Sequence, residues 1–251
     1  MMEPLIRSKH RVLAVTLARG GSKGIPGKNI RSLAGEPLLA YTIAEAKRSK
    51  LITRYVVSTD SEDIRSVARE YGAEAPFLRP AELAGDTATS LDALKHAVLW
   101  AEAEEKRRYD YVVELMCTNP FKDTADIDGA IEKLIRTGAE SVIGLTRLWD
   151  HHPARVKRIV DDRLVDFTVP EPANNRRQDL TPAAYIRNGS IYAMRRDVLI
   201  EQNARFGTVD SRPYIMTEEK SLNCDTPLDF EIAEAMLKKR PRDYVGAPIK
   251  R

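Results

Sequence analysis

A chain of 251 residues is long enough to bury one full hydrophobic core, as a single domain or as a domain with a small insertion. With 43% hydrophobic and 31% charged residues the composition is globular, and a net charge of only +3 supplies no strong field for nucleic acid. No apolar run approaches the roughly 18 residues of a membrane span, Met1 to Arg11 lacks the apolar region of a signal peptide, and Cys117 and Cys224 fit no metal spacing, so a reduced cytoplasmic chain is expected.

The first predicted element is a short apolar run, Val12 to Ala18, which reads as a buried strand of a parallel sheet. It leads into Ala18 to Asn29, Ala-Arg-Gly-Gly-Ser-Lys-Gly-Ile-Pro-Gly-Lys-Asn, and this stretch organises the rest. Gly20, Gly21, Gly24 and Gly27 let backbone N–H groups approach an anion, because no Cβ stands in the way. Arg19, Lys23 and Lys28 add positive charge, and Pro26 stiffens the turn. A polyphosphate is the expected ligand. The loop is not a P-loop, since Gly27-Lys28 precedes Asn29 and Ser22 stands where the first glycine belongs. Nor does any register of Gly20 to Gly27 fit the dinucleotide pattern G-x-G-x-x-G.

Beyond the loop, Pro37 to Lys50 has helical apolar spacing, and Tyr55 to Thr59 is a strand ending at Asp60. Ile64, Val67, Ala68 and Tyr71 share one helix face, and Leu91, Leu94 and Val98 mark another helix. Tyr111 to Met116 is a strand followed by the turn Thr118-Asn119-Pro120. Ile127, Ile131, Leu134 and Ile135 mark a helix capped by Asp123 or Thr124. Ser141 to Thr146 is again a strand. This β-α-β rhythm predicts an α/β fold with a doubly wound, mostly parallel sheet. The rhythm breaks at 147–187, read as an insertion: two β-like pieces around Asp161-Asp162, then a polar loop. Ser190 to Met194 returns to the sheet, Pro227 to Lys239 is a closing helix, and 241–251 reads as a basic tail of a single domain spanning 1–251.

Ligands of open α/β sheets sit at the carboxyl ends of the strands. The loop, Thr59-Asp60, Thr118-Asn119 and Arg187-Asn188-Gly189 fall there, although Thr59-Asp60 also suits a helix cap and Asn188-Gly189 a plain turn. Asn223 and Asp225 are two apart, so on a strand they would face the same side and offer hard oxygens to Mg²⁺; the alternative is that Asp225 or Thr226 merely caps the last helix. Arg176-Arg177-Gln178 carries a guanidinium fork for a carboxylate or phosphate, or is a solvated basic loop. His151-His152 reads as a turn before Pro153 rather than a metal pair.

Taken together, these residues resemble the acylneuraminate cytidylyltransferase family, the CMP-sialic acid synthetases and their relatives. The similarity is carried by the Arg19 to Asn29 loop, Val57-Ser58-Thr59-Asp60, Leu78 to Ala84 with Asp86 to Ser90, His151-His152-Pro153, Arg177-Gln178, Asn188 to Tyr192 and Asp225-Thr226, in the family's order and covering about Val12 to Leu237. It implies a nucleotide-diphospho-sugar transferase-like, Rossmann-like fold, and an enzyme that joins CTP to a nonulosonic (sialic-acid-like) 2-keto sugar acid and releases pyrophosphate. By position, the resemblance gives Arg19, Ser22 and Lys28 to the triphosphate, with Ala18, Gly20, Gly21, Lys23 and Asn29 around it. Arg79, Thr89 and Ser90 fall to the cytidine, Arg177, Gln178, Asn188 and Tyr192 to the sugar, and Asn223 and Asp225 to Mg²⁺. It assigns the insertion to a dimerisation arm, hence a homodimer. The alternatives are a Kdo or other sugar nucleotidylyltransferase, or a non-catalytic nucleotide-binding homologue; the Kdo branch carries an arginine where this loop has Lys23-Gly24. Two departures stand out. Leu115 to Pro120 replaces the usual Leu-Gln-Pro-Thr-Ser-Pro, with Cys117 taken as the substitute for a glutamine near the nucleotide. Asn223-Cys224-Asp225 stands where the family often has Asp-x-Asp.

Overall fold

A computed structural model describes residues 10–21, 24–85 and 87–239. The calls on Ser22, Lys23, Asp86 and the tail 241–251 lie outside the described residues. A six-stranded sheet has helices packed on both faces, and its central strands bury nearly continuous hydrophobic runs, as a parallel sheet requires. The sheet runs β10 (Ser211–Ile215), β6 (Ser141–Leu148), β9 (Ala184–Arg195), β5 (Tyr111–Leu115), β1 (Val12–Leu17) and β4 (Arg54–Ser58). Strand β1 is parallel to β4 and β5, and β10 is parallel to β6; only β9 runs antiparallel to its two neighbours. A small β2–β3 hairpin (Ser32–Leu33, Glu36–Pro37) follows the glycine-rich loop.

One face of the sheet carries α1 (Leu38–Arg48), α2 (Glu62–Glu70) and α4 (Thr124–Thr137), whose buried Leu39, Ile43, Ile64, Ala68, Ile127 and Leu134 meet Ala14, Val57 and Val113. The other face carries α3 (Ser90–Glu105) and the short α5 (Arg196–Ile200), with Leu94, Ala97, Val98 and Leu199 on Leu13, Val15 and Val112. Helices begin where side chains satisfy free N–H groups. Asp123 and Asp126 form a reciprocal capping box, so Asp123, not Thr124, caps α4. Ser61 rather than Asp60 caps α2. A third apolar cluster joins Ile25 of the loop, Leu33, Tyr41, Phe121 and Cys224 to Phe230 and Ala233 of α6 (Pro227–Lys239). It sets the start of α6 against the glycine-rich loop. Among the described residues no helix is long and apolar enough to cross a membrane.

The insertion is narrower than the sequence boundaries. Leu145 to Leu148 pair with Arg187 to Ala184, so 147–148 and 184–187 belong to the main sheet. The projecting part holds the β7–β8 hairpin (Lys157–Val160, Arg163–Asp166), with Asp161 and Asp162 in left-handed turn positions. His152 is buried at its base: Nδ1 accepts from Ala154 N at 3.2 Å and Nε2 donates to Pro182 O at 2.9 Å, so the histidine is a turn residue.

Candidate active site

Strands β1, β4 and β5 end together, and a cleft of about 520 Å³ opens above them. It is lined by Arg19, Gly24, Lys28 and Asn29 of the loop, Arg79, Thr89 and Ser90 beyond β4, and Glu114, Met116, Cys117 and Thr118 of β5 and its turn. Gly27 sits at φ 62°, a left-handed position that glycine adopts without a Cβ penalty.

The loop is held from below. Ala18 N donates to Ser58 O at 3.0 Å and Gly20 N to Asp60 Oδ1 at 2.9 Å. Asn29 is buried; its Nδ2 donates to Arg19 O at 2.9 Å and its Oδ1 accepts from the Cys117 thiol at 2.8 Å. Burial pushes the Cys117 thiol up to about 11, which keeps the proton this hydrogen bond needs. Cys117 and Asn29 thus position Arg19. Gly21 is exposed, with nothing packed where a Cβ would stand. Counting from Leu115, the residue in the glutamine's place is Met116 and Cys117 takes the proline's, which corrects the sequence reading; both line the cleft.

Arg79 is 6% exposed. Its backbone N donates to Thr59 O at 2.7 Å and Asp60 lies 3.7 Å from its Nη2, yet Nε and Nη2 have no hydrogen-bond acceptor. Burial lowers its pKa, Asp60 opposes this, and Arg19 lowers it further. Thr89 is the N-cap of α3, accepting from Asp92 N at 3.1 Å, so its hydroxyl already has work; Ser90 opens the helix beside it.

At the loop's far side Lys28 Nζ donates to Asp225 Oδ1 at 2.7 Å. The cap of α6 lies elsewhere. Asp229 Oδ2 accepts from Thr226 N at 2.6 Å and Asp225 N at 3.0 Å, while Thr226 Oγ1 accepts from Asp229 N at 3.3 Å. The Asp225 carboxylate is therefore free of the capping role and 59% exposed. Asn223 Nδ2 donates to Asn188 O at 2.8 Å, and Thr118 Oγ1 lies 3.4 Å from its Oδ1. Buried Asn119, read from sequence as part of a turn at a strand's ligand-facing end, donates to Lys220 O at 2.9 Å and Leu222 O at 3.1 Å and fastens this segment beside β5.

The expected sugar ligands divide. Tyr192 is buried on β9 as the register neighbour of the cleft residue Glu114, under Arg205 at 4.7 Å and beside Phe206 at 5.6 Å, and does not itself line the cleft. Asn188 is buried with Nδ2 on Ser221 Oγ at 3.0 Å and Met216 Sδ at 3.1 Å; it holds Asn223 through its backbone and is not among the residues lining the cleft. Arg177 and Gln178 are exposed on the arm's loop and likewise do not line it. Sequence reasoning missed Asp60 as the loop's anchor and Glu114 as a cleft residue. The signal for Glu114 was a lone charge inside the apolar run Tyr111 to Met116.

Comparison with known proteins places the chain in a family. The family described as cytidylyltransferase matches residues 13–246. The chain is similar to "Post-translational flagellin modification protein B" of Campylobacter coli, 33% identical over 91% of this chain and 96% of that protein. It is also similar to the CMP-N,N'-diacetyllegionaminic acid synthase of Legionella pneumophila, 35% identical over 91% of this chain and 97% of that one. Among solved structures, a CMP:2-keto-3-deoxy-manno-octonic acid synthetase complexed with CTP superposes with a TM-score of 0.67 at 18% identity, covering 91% of this chain and 99% of that one, a likeness of fold. With a glycine-rich cationic loop, a carboxylate facing it and this similarity along nearly its whole length, the chain belongs to the cytidylyltransferase family.

Proposed function

We propose that the enzyme transfers a cytidylyl group from CTP to a nonulosonic acid, giving the CMP-sugar and pyrophosphate. The observation that carries this is the convergence of Arg19, Arg79 and the Lys28–Asp225 pair around one cleft, in a chain 35% identical to a CMP-N,N'-diacetyllegionaminic acid synthase. The sugar's anomeric hydroxyl attacks the α-phosphorus and the bond to the β-phosphate oxygen breaks. There is little covalent work for the protein, so positioning and charge neutralisation dominate. Arg19 and Lys28 meet phosphate oxygens. Arg79, with two N–H-bearing atoms lacking acceptors, meets acceptors on the cytidine, and Tyr192 faces the sugar.

Mg²⁺ belongs to the proposal. Among the described residues no cluster of three or more His, Cys, Asp or Glu could hold a metal. The donors present, the Asp225 carboxylate and the Asn223 amide oxygen, are hard oxygens that fit Mg²⁺ when substrate phosphates complete its shell. The ion would offset phosphate charge. With Asp225 engaged in this way, Lys28 would be available to the phosphates.

A homodimer is also proposed. Ile159 and Leu164 of the hairpin are each 75% exposed and Phe167 59%. An isolated hairpin is marginal in water, so a second copy is the natural cover. Arg177 and Gln178 would reach a sugar only if their loop closes or docks against another copy's cleft. A cytoplasmic location completes the proposal, supported by two free, buried thiols.

Pyrophosphate release with Mg²⁺, CTP and a panel of eight- and nine-carbon 2-keto sugar acids tests the function. Turnover with a nine-carbon acid is expected, with CTP favoured over UTP. Release with Kdo alone would move the enzyme to that branch, and no release with any acid would overturn the proposal.

A further inference from the structure

One row of side chains crosses the sheet just below the cleft. Val56, Val15, Glu114, Tyr192 and Ile143 are register neighbours on β4, β1, β5, β9 and β6. Four are aliphatic or aromatic and one is a carboxylate. Glu114 is 1% exposed. Its Oε2 accepts from Arg205 Nε, whereas Oε1 is buried, has no partner and belongs to a residue lining the cleft. Burial pushes this carboxyl upward and Arg205 opposes it.

An unpaired carboxylate oxygen in a desolvated place is costly, and an aliphatic residue would pack this row without that cost. Folding alone therefore gives no reason for Glu114. Its surroundings point to a ligand donor. Arg205 already balances the charge, so a neutral N–H satisfies Oε1 without adding an unpaired cation. Arg205 lies over Tyr192 at 4.7 Å and Phe206 at 5.2 Å, and its Nη2 is 3.7 Å from Met116 Sδ. Glu114 thus lines the cleft next to Tyr192, its register neighbour on β9, and the arginine it binds lies against aromatic and apolar side chains.

We propose that Glu114 is a specificity-determining residue for the sugar: its unpaired carboxylate oxygen takes a hydrogen bond from the N–H of an acylamino group on the sugar acid. This rests on the function proposed above. A site with a buried acceptor penalises a ligand that brings no donor, because the acceptor is then left unpaired.

The test uses initial rates of the full chain with CTP, Mg²⁺ and pairs of sugar acids, each acylamino compound against its N-methylated counterpart, which keeps the carbonyl and loses the N–H. For the pair modified at the position that meets Glu114, wild type loses roughly ten- to hundredfold in kcat/KM, chiefly through the sugar KM, the range of one hydrogen bond to a charged group. Glu114→Leu treats the two members within about threefold of each other, since neither meets an acceptor. If Glu114→Leu fails to fold, the wild-type pairs still decide. Wild type that uses both members of every pair equally overturns the inference. So does a Glu114→Gln variant in which CTP-over-UTP preference collapses while sugar KM is unchanged, because the oxygen would then face the base. Those results leave the cytidylyltransferase function standing; only absence of turnover with every sugar acid removes both.

Discussion

Lys28 and Asp225 are the residues proposed above to carry the chemistry, and in the structure they hold each other at 2.7 Å. Each is the other's counter-charge in the structure. Lys28→Ala should lower turnover by roughly 10² to 10³, the range for one donor to developing transition-state charge; activity within a few-fold of wild type would remove the phosphate role. Asp225 is open to a sharper test, because Thr226 and Asp229 already cap α6. Asp225→Asn should leave the unfolding midpoint unchanged and nearly abolish turnover. Asn223→Asp should tighten apparent Mg²⁺ binding by adding a second anion. A Mg²⁺ titration of turnover for the three proteins checks this, and an unchanged curve for Asp225→Asn rules out the metal role.

The turn between β5 and α4 shows how one element is held for the site's benefit. Lys122 is 2% exposed, and its Nζ donates to Met116 O at 2.7 Å, Thr42 Oγ1 at 2.8 Å and Asn119 O. These acceptors are neutral, so burial lowers its pKa to about 7, with Cys117, Glu45 and Asp126 opposing. Between about 7 and its ordinary value of 10.5 the unfolded chain binds the proton more fully than the folded one, so this group makes stability rise with pH across that window. Lys122→Met should remove that rise. Urea unfolding of both proteins at pH 7 and pH 9 measures it, and parallel changes in the two would show that Lys122 does not titrate there.

At the scale of the molecule the hairpin arm is the feature the single chain leaves unexplained. Its exposed Ile159, Leu164 and Phe167 stand away from the three apolar clusters of the core. Ile159→Asp with Leu164→Asp should convert the protein to a monomer by light scattering at micromolar concentration while leaving its unfolding midpoint near wild type. A wild-type protein already monomeric under those conditions would end the dimer proposal.

Local physics made much of this chain readable in one dimension. Strand β1, the glycine-rich loop and α6, expected over Pro227 to Lys239 and found there, are written as an apolar run, unhindered backbone and 3.6-residue periodicity, all of which act between near neighbours. Asp123 as a cap was legible for the same reason. The pairings that make the site were not. Asn29 with Cys117, Gly20 with Asp60 and Lys28 with Asp225 are 88, 40 and 197 residues apart. The antiparallel direction of β9 was settled by its pairing with β5 and β6 rather than by its composition. Arg177 and Asn188 carry suitable groups, but whether a side chain faces the cleft depends on register and loop path, which no local pattern records. Glu114 shows the division most plainly. The sequence determined that a carboxylate would interrupt a buried strand; only the tertiary structure decided that one oxygen meets Arg205 and the other is buried without a partner, because the groups around it come from distant parts of the chain.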